Sequence, residues 1–518
     1  MNNIFRMIVI VALGLLYPQA LPSMAADFGN AADLSVEIIL PDGAHKFVAA
    51  EGRDLGDFNG PGFIEQNVVV SDHAIPLRVF FRPDRNSPRT EVVFEWGDAF
   101  KSGGSELPAY DVHIRKGTTE LATVHVPNQY WLTRWRWQSE QRKVIRTASD
   151  LIKEKLVPPY ASLGRNTAVP VKPYSIMGTS NITVYMPSTG ERGDIGLVPE
   201  VTAKFLITGS KTDMESMFAW AEASGTAPWH MRDPETLSAI SYVKYPNAST
   251  YNEPRGQKPE LAQKSTSPVT IDGSHIPNLT YVPYLLTGDP YYLEELEFTL
   301  TFTLGCIPNH QTIIRHDQAR MFAWTLRDFF YLIKALPDNT PSWLLPKSYW
   351  VKILDKNLKW TLENFVNNPS FKTAGLFSGV DAPRIAFWQE DYLAAVLGVG
   401  VWMGYQDWQP VFAWKIKSNI ARTDGVSGWP RSDPSFYWTE WKDKGGTPVN
   451  SWAALAALNN IPPDNSRLGA KVTLSYVAYD RAALVMATKL GIGAAQPPLD
   501  WLNTQLDPRQ ITWRVSLN

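Results

Sequence analysis

Several apolar segments of this sequence each begin with a cluster of ionisable or amide side chains. The clusters are Arg192 and Asp194; Ser274 and His275; Arg315, His316, Asp317, Gln318 and Arg320; and Gln389, Glu390 and Asp391. Acidic residues and Ser cap helix starts in any protein, but cations are disfavoured at that end of the helix dipole. Capping can therefore account for Asp317 or Asp391, but it does not account for Arg192 or Arg320. The clusters indicate a functional site.

Two reactions suit such a site, and the first is hydrolysis of a glycosidic bond. It needs a protonated carboxyl group as the acid and a second carboxylate as the base or nucleophile. Asp194 or Asp317, facing Glu390 or Asp391, would supply this pair.

The second reaction is elimination at a uronic acid. It needs a cation or amide to neutralise the sugar carboxylate and a base to remove the α-proton. The candidates for these parts are His275, Tyr281, Tyr284, Arg320 and Gln389. His230, in the sequence Trp229-His230-Met231-Arg232, is a second candidate histidine. A structural role for either histidine is an equal alternative.

Aromatic side chains extend the predicted binding surface. The chain has 20 Trp and 20 Tyr, and large flat rings suit the apolar faces of sugars, although most of them are expected in the core. The predicted substrate-binding residues are Arg192, Trp229, His230, Tyr281, Arg315, His316, Asp317, Gln318, Trp324, Trp388 and Gln389. The predicted catalytic residues are His275, Tyr284, Arg320, Asp194, Glu390 and Asp391.

The sequence contains no motif for a metal or a cofactor. The Gly-x-Ser-x-Gly elbow, the Walker loop and the dinucleotide fingerprint are missing. His310 and His316 have no Glu between them, so the zincin pattern fails, and the single Cys306 gives no support for a thiolate site. We therefore expect no metal and no cofactor.

A repeated turn indicates which elements position the site. The sequence FLITGS at 205–210 returns as YLLTGD at 284–289, and related apolar segments follow at 214–217 and 293–296. Gly after the last apolar residue favours a left-handed C-cap, and the Ser or Asp that follows favours the N-cap of a second helix. The copies therefore predict helical hairpins that stack on one another. The turn itself is expected to be structural, at the far end of each inner helix from the site.

Hairpins of an apolar inner helix and a more polar outer helix are predicted along the second half of the chain. The predicted pairs are 195–208 with 211–223, 276–287 with 290–304, 318–336 with 348–366, and 389–403 with 408–421, with further inner helices at 450–459 and 472–490. Pro199 and Pro283 are expected to kink two of these helices or to shift their starts. Five or six such pairs would close an (α/α)5-6 toroid over residues 191–495.

Residues 26–145 predict an antiparallel β-sandwich. Strand-like segments at 36–40, 67–70, 77–81, 91–96 and 122–126 are separated by Gly, Pro, Asn and Asp clusters. Trp135 and Trp137 alternate with Arg134 and Arg136, which is typical of a strand with one apolar face. A Pro-rich linker is expected over 146–190 and a C-terminal tail over 496–518.

Residues 1–25 have the features of an export signal. Arg6 precedes an apolar stretch that is too short for a permanent anchor, and Ser23-Met24-Ala25 fits a cleavage site. The formal net charge of −2 gives no support for a nucleic-acid partner. We expect a soluble, periplasmic or secreted protein with no membrane anchor after signal cleavage.

A β-sandwich followed by an (α/α) toroid resembles the architecture of many polysaccharide lyases and glycoside hydrolases. The sequence is more closely similar to a group of exported bacterial proteins of unknown function. The matching blocks are 192–196, 274–277, 283–296, 317–318 with Arg320 and 323–324, and 388–392. This resemblance implies the fold rather than the reaction.

The expected function is cleavage of an extracellular or cell-wall polysaccharide or oligosaccharide in the toroid funnel. Elimination is favoured slightly, because Arg, His and Tyr accumulate at the helix starts. A glycoside hydrolase with paired carboxylates and a non-catalytic glycan-binding or scaffold protein are the alternatives.

Overall fold

The structure is a computed structural model. It describes residues 29–72, 75–101, 104–161, 172–188, 190, 192–250, 261, 265–307, 318–368, 375–377, 384–447, 449, 451–464, 467–469, 472–507, 511 and 513–517. The predicted signal at 1–25 and the predicted site residues Arg315, His316 and Asp317 lie outside the described residues.

The N-terminal part of the chain forms two antiparallel sheets. Their strands, within the described residues, are β1 (Leu34–Leu40), β2 (Gly43–Val48), β3 (Arg53–Gly60), β4 (Phe63–Ser71), β5 (Leu77–Pro83), β6 (Thr90–Trp96), β7 (Tyr110–Lys116), β8 (Thr119–Val126) and β9 (Thr133–Gln138). One sheet has the order β2-β1-β7-β8 and the other β3-β4-β5-β6-β9. Each predicted strand lies within an observed one. β2, β3 and β7 were not predicted. β2 and β3 are largely exposed and carry few apolar residues, whereas β7 has a buried face formed by Tyr110, Val112 and Ile114.

Side chains from the two sheets meet in one core. Trp135 of β9 donates from Nε1 to Oη of Tyr110 in β7 at 3.0 Å, and its ring stacks on Phe94 with the centroids 4.2 Å apart. Trp135 is fully buried, as the alternation around it predicts. The Trp135 ring therefore joins the two sheets.

The rest of the described chain is mainly helical. The helices are α1 (Ala148–Lys153), α2 (Glu200–Thr208), α3 (Lys211–Ala223), α4 (Tyr281–Thr287), α5 (Pro290–Gly305), α6 (Ala319–Ala335), α7 (Lys347–Thr361), α8 (Phe387–Trp402), α9 (Gln409–Thr423), α10 (Trp452–Leu458), α11 (Leu474–Lys489) and α12 (Gln496–Gln505). A two-stranded ribbon pairs β10 (Arg384–Ile385) with β11 (Thr439–Glu440).

Among the described residues, no helix has both the length and the apolar character needed to cross a membrane.

The predicted helix pairs correspond to observed ones, α2–α3, α4–α5, α6–α7 and α8–α9. α10 and α11 correspond to the further inner helices at 450–459 and 472–490. Residues 496–518, expected to be a tail, contain α12, which packs on α11, and the buried short helix Trp513–Val515. The helical part of the chain thus extends almost to its end.

The repeated turn has the predicted geometry. Gly209 and Gly288 adopt left-handed conformations with φ of 63° and 69°. Ser210 Oγ accepts from Asp213 N, and Asp289 Oδ1 accepts from Tyr291 N, each at 3.1 Å. These are the predicted caps.

The two prolines move the helix starts, as expected. Pro199 is the N-cap of α2, which begins at Glu200 rather than 195, and Pro283 lies in the first turn of α4, which begins at Tyr281 rather than 276. A proline lacks the N–H that an interior helical position must donate, so each proline is tolerated only at the start.

The second face of the five-stranded sheet is charged, yet it is buried against helix α5. The residues that pair across this face, called here the interface ion network, are Arg82, Arg89, Arg134, Arg136, Arg232, Glu91, Glu95, Asp289, Glu294 and Glu295. Arg134 donates to Glu295 Oε1 at 2.5 Å and to Glu294 Oε2 at 2.9 Å. The sandwich and the helices are therefore joined by paired charges.

Candidate functional site

The starts of α6, α8 and α11 lie together. The backbone N–H of Arg320, in the first turn of α6, donates to Oε1 of Gln389 in the first turn of α8 at 3.3 Å. Trp388 of α8 stacks on Tyr476 in the first turn of α11, with ring centroids 4.6 Å apart and planes 20° apart. Among the predicted clusters, this arrangement brings Arg320 and Gln389 into contact.

His275 ends the short 3-10 helix Gly273–His275 that leads towards α4. Asp272 caps this turn by accepting from Ser274 N at 2.9 Å, and its Oδ1 lies 2.7 Å from Nδ1 of His275. An ionised carboxylate only accepts hydrogen bonds, so Nδ1 carries the proton. Nε2 is buried and has no hydrogen-bond partner among the described residues. The geometry leaves Nε2 as the basic atom.

The charge state of His275 suits a base at neutral pH. Burial lowers the pKa of His275, the Asp272 carboxylate opposes this, and the nearby Arg320 guanidinium lowers it further, so that the pKa lies below its ordinary value. Burial would raise the pKa of Asp272, but the hydrogen bond with His275 and the charge of Arg320 bring it below its usual range. The pair is therefore a neutral imidazole beside a carboxylate.

Arg320 supplies a cation next to this pair. Its Nε donates to Gln318 Oε1 at 2.8 Å, and its guanidinium lies over the Trp388 ring, 5.3 Å from the centroid. Burial lowers the pKa of the half-buried Arg320, while Asp272 opposes that change, and a guanidinium stays charged at any working pH. Among the described residues, no carboxylate lies within ion-pair distance of it.

An aromatic stack borders the site. Trp388 packs against both Tyr476 and Tyr437, with the Trp388 and Tyr437 centroids 5.5 Å apart and their planes 22° apart. The two tyrosine centroids are 6.3 Å apart, so the three rings form a compact cluster. Tyr437 comes from the loop after α9 and is 53% exposed, so the outer end of the stack faces solvent. Tyr437 is thus the exposed ring of the stack, and the Arg320 guanidinium lies over its buried member, Trp388.

Three residues of this site were not among the predicted ones. Asp272 precedes His275 by one helical turn, a spacing at which an acidic side chain reaches a histidine. Tyr476 lies at the start of a predicted inner helix, and the rule that nominated the other starts would have found it. Tyr437 carries no sequence signal beyond its place in a Trp-rich loop.

Arg192 and Asp194 lie behind His275. Arg192 Nη2 donates to the backbone carbonyl of His275 at 2.7 Å, and its Nε donates to Asp194 Oδ1 at 2.8 Å. Asp194 also accepts from Thr183 N at 3.0 Å, and both side chains are buried. These contacts hold the segment that carries His275.

Glu390 and Asp391 are fully buried and face α9. Glu390 pairs with Lys415 at 3.1 Å. Asp391 pairs with Arg422 at 2.5 Å and accepts from Asn419 at 2.8 Å, and Asn419 also donates to Asp480. Both carboxylates thus contact neighbouring cations in the helical core.

Trp229 and His230 contact Glu295, a member of the interface ion network. His230 Nε2 is 2.9 Å from Glu295 Oε1, and Trp229 Nε1 donates to Glu295 Oε2 at 3.3 Å. Gly273 approaches Cys306 at the other end of α5, about 16 Å along the helix from Glu295. The structure therefore does not bring His230 and His275 together.

The remaining predicted residues lie in the core around the site. Tyr281 donates to the Leu156 carbonyl at 2.7 Å and stacks on Tyr331, in the second half of α6. Trp324 is buried one turn below Arg320, and Tyr284 is partly buried against the same core. Tyr281 and Trp324 are thus packing residues.

The site combines a base, His275 with Asp272, and a cation, Arg320, which contacts an amide and a ring, Gln389 and Trp388. The two groups meet where the short helix Gly273–His275 packs on α6. Among the described residues, no group of three or more His, Cys, Asp and Glu side chains is placed to hold a metal ion.

In comparisons with known proteins, no family, curated protein or solved structure matches this chain at a significant level.

Proposed function

We propose that this chain is an exported carbohydrate-active enzyme that cleaves an extracellular or cell-wall polysaccharide by elimination. The observation that carries this proposal is the 2.7 Å contact of His275 with Asp272 on a turn that packs against α6, the helix that carries Arg320. Elimination at a uronic acid needs a neutral base and a cation close together, and these residues supply them. The signal-like sequence at 1–25 supports export.

In the proposed reaction Arg320, with the amide of Gln389, binds the uronate carboxylate and stabilises the negative charge that develops there. Nε2 of His275 removes the α-proton. The electron pair of the broken C–H bond forms the new double bond as the glycosidic C–O bond breaks. The departing oxygen takes up a proton from water, and the His275 imidazolium returns the α-proton to water, so the base is regenerated. The stack ending in Tyr437 binds the apolar face of a neighbouring sugar.

We also propose that the helical hairpins close into an (α/α) toroid. In support, α6 packs on α4 and α8, and α8 packs on α11. The helix Trp513–Val515 contacts both α11 and α2, and α2 packs on α3, which contacts α4. These contacts run from hairpin to hairpin and return to the first one.

Hydrolysis by paired carboxylates has less support. The carboxylates of Asp194, Glu390 and Asp391 each pair with an Arg or Lys, whereas Nε2 of His275 has no hydrogen-bond partner among the described residues. A hydrolytic acid and base must instead reach both sides of a glycosidic bond. A non-catalytic glycan-binding protein would use the same aromatic stack without the base.

The test is incubation of the full chain with bacterial and plant polysaccharides, while reducing ends and the ultraviolet absorbance of unsaturated sugars are followed. New reducing ends with absorbance are expected. Reducing ends without absorbance would indicate a hydrolase, and binding without either signal would indicate a scaffold. His275→Ala is the inactive control.

A further inference from the structure

A cleft of about 720 Å³ lies where the two repeated turns meet strand β9. Its wall includes Lys211 and Phe218 after the first turn, Asp289 and Tyr292 after the second, and Arg136 from the sheet. A volume of this size falls within the range of small-molecule sites. The repeated turns therefore form one wall of a cleft, besides ending the inner helices.

The charges in this cleft are balanced and paired. Arg136, Arg142 and Lys211 line it together with Glu215, Glu222 and Asp289. Arg136 contacts Asp289 at 2.8 Å, Arg142 pairs with Glu65 and Asp84, and Lys211 pairs with Glu215 at 3.6 Å. Arg136 and Arg142 contact buried carboxylates, so a charged ligand would have to displace one of these pairs to bind either guanidinium. The Lys211–Glu215 pair is exposed and contributes little. The cleft is suited to an uncharged ligand.

The cleft also offers rings and uncharged polar groups. Phe218 and Tyr292 lie side by side, with centroids 6.0 Å apart, and Tyr292 is held by its hydroxyl, which donates to Glu222 at 2.7 Å. Gln141 and Ser175 line the opening and are exposed. Apolar ring surface next to amide and hydroxyl groups matches the alternating apolar and hydroxyl faces of a sugar.

We propose that this cleft binds a neutral oligosaccharide at a second site, separate from the helix-start site. Thr287 lines the cleft at the last residue of α4, whereas His275 lies before the first residue of that helix. The cleft is thus positioned to hold a neutral stretch of a glycan while another part is bound elsewhere. This proposal does not rest on elimination at His275.

The test is isothermal titration of the full chain with cellohexaose, maltohexaose, xylohexaose and chitohexaose, and with trigalacturonate as the charged probe. At least one neutral probe is expected to bind. Glu215→Trp, which places a large side chain in the cleft, should weaken that binding by at least about tenfold. The matched control is Thr212→Trp, an exposed position on the same helix outside the cleft lining, which should bind as the unmodified chain does.

The same titration separates this site from the catalytic one. Arg320→Ala should leave neutral-probe binding unchanged, even if turnover on uronates is lost. Failure of all neutral probes to bind overturns the proposal. So does binding that is insensitive to Glu215→Trp, or binding that Arg320→Ala abolishes. Turnover that survives Arg320→Ala would instead count against the elimination mechanism alone.

Discussion

Nδ1 of His275 lies 2.7 Å from Oδ1 of Asp272, and the carboxylate thereby keeps the ring proton on Nδ1 and the basic lone pair on Nε2. The pair occupies a single turn of chain, whereas the cation beside it comes from α6.

Asp272→Asn should reduce turnover by about 10–100-fold, because the amide no longer stabilises the charged imidazolium during proton transfer. Asp272 raises the pKa of His275, so its loss should also shift the acidic limb of the pH–rate profile to lower pH. Asp111→Asn is the matched control, since Asp111 makes a 2.8 Å contact with the exposed His125 on the sandwich. An unshifted profile would show that Asp272 only supports the fold.

His275→Ala and Arg320→Ala should each lower turnover on a uronate polymer by at least about 100-fold, the range expected for loss of a general base or a charge-stabilising group. The thermal midpoint should stay nearly unchanged. Among the described residues, Asp272 is the one carboxylate that pairs with His275, and Arg320 pairs with none, so neither substitution removes an ion pair between two helices. Steady-state kinetics measure the turnover, and a thermal melt measures the midpoint. A large fall in the midpoint would identify structural residues instead.

Tyr437→Ala should weaken glycan binding by about 2–10-fold, the equivalent of one aromatic contact. Tyr437 is 53% exposed, so the free energy of unfolding should change by less than about 0.5 kcal/mol. Tyr437→Phe keeps the ring and should bind normally. Equal binding by all three proteins would exclude the stack as a sugar surface.

Glu294→Gln should lower the free energy of unfolding by about 3–5 kcal/mol, because it removes a buried carboxylate that three buried guanidinium groups share. Glu294 contacts Arg82, Arg134 and Arg232 at 2.6, 2.9 and 3.1 Å. Glu215 stands at the same place in the first copy of the repeat but is exposed, so Glu215→Gln should change the free energy by less than about 0.5 kcal/mol. Thermal or urea unfolding compares the two, and equal effects would contradict a role for the network in stability.

Glu297→Gln should make the protein less sensitive to alkaline pH. Burial raises the pKa of Glu297 from 4.5 to about 8, although Leu345 N and Trp350 Nε1 donate to it. The folded protein therefore holds a proton that the unfolded chain releases between these two values, and this contribution to stability is lost as pH rises through that window. The variant should exceed the unmodified chain in thermal midpoint at pH 8 by more than at pH 5. If the two proteins differed in thermal midpoint by the same amount at pH 5 and pH 8, Glu297 would not hold a proton in the folded protein.

The hairpins were predictable because their signals are local. A Gly at the left-handed position and a capping Ser or Asp act within a few residues, so the turns at Gly209 and Gly288 follow from the sequence alone. The same holds for the buried Trp135 strand, whose alternation sets which side chains share a face. The clustering of ionisable groups at helix starts also nominated Arg320 and Gln389, and the structure places the backbone N–H of Arg320 in contact with Oε1 of Gln389.

The partners of the charged residues could not be predicted. Arg134 and Arg136 alternate with apolar residues, a pattern typical of a strand face that is exposed to solvent. The structure instead buries them against α5. This is possible because Glu294 and Asp289, more than 150 positions later in the chain, accept their hydrogen bonds. Glu390 and Asp391 lie next to Gln389 in sequence, but the helix turns them towards Lys415 and Arg422.

The sequence by itself determined the four helical hairpins, their capped turns and six of the nine long strands that the structure describes, because capping, periodicity and turn chemistry are short-range. Only the tertiary structure decided which ionisable side chains lie beside His275 or an aromatic ring and which form ion pairs in the core. That choice depends on contacts between segments far apart in the chain, as between Arg134 and Glu294 or between Trp388 and Tyr476.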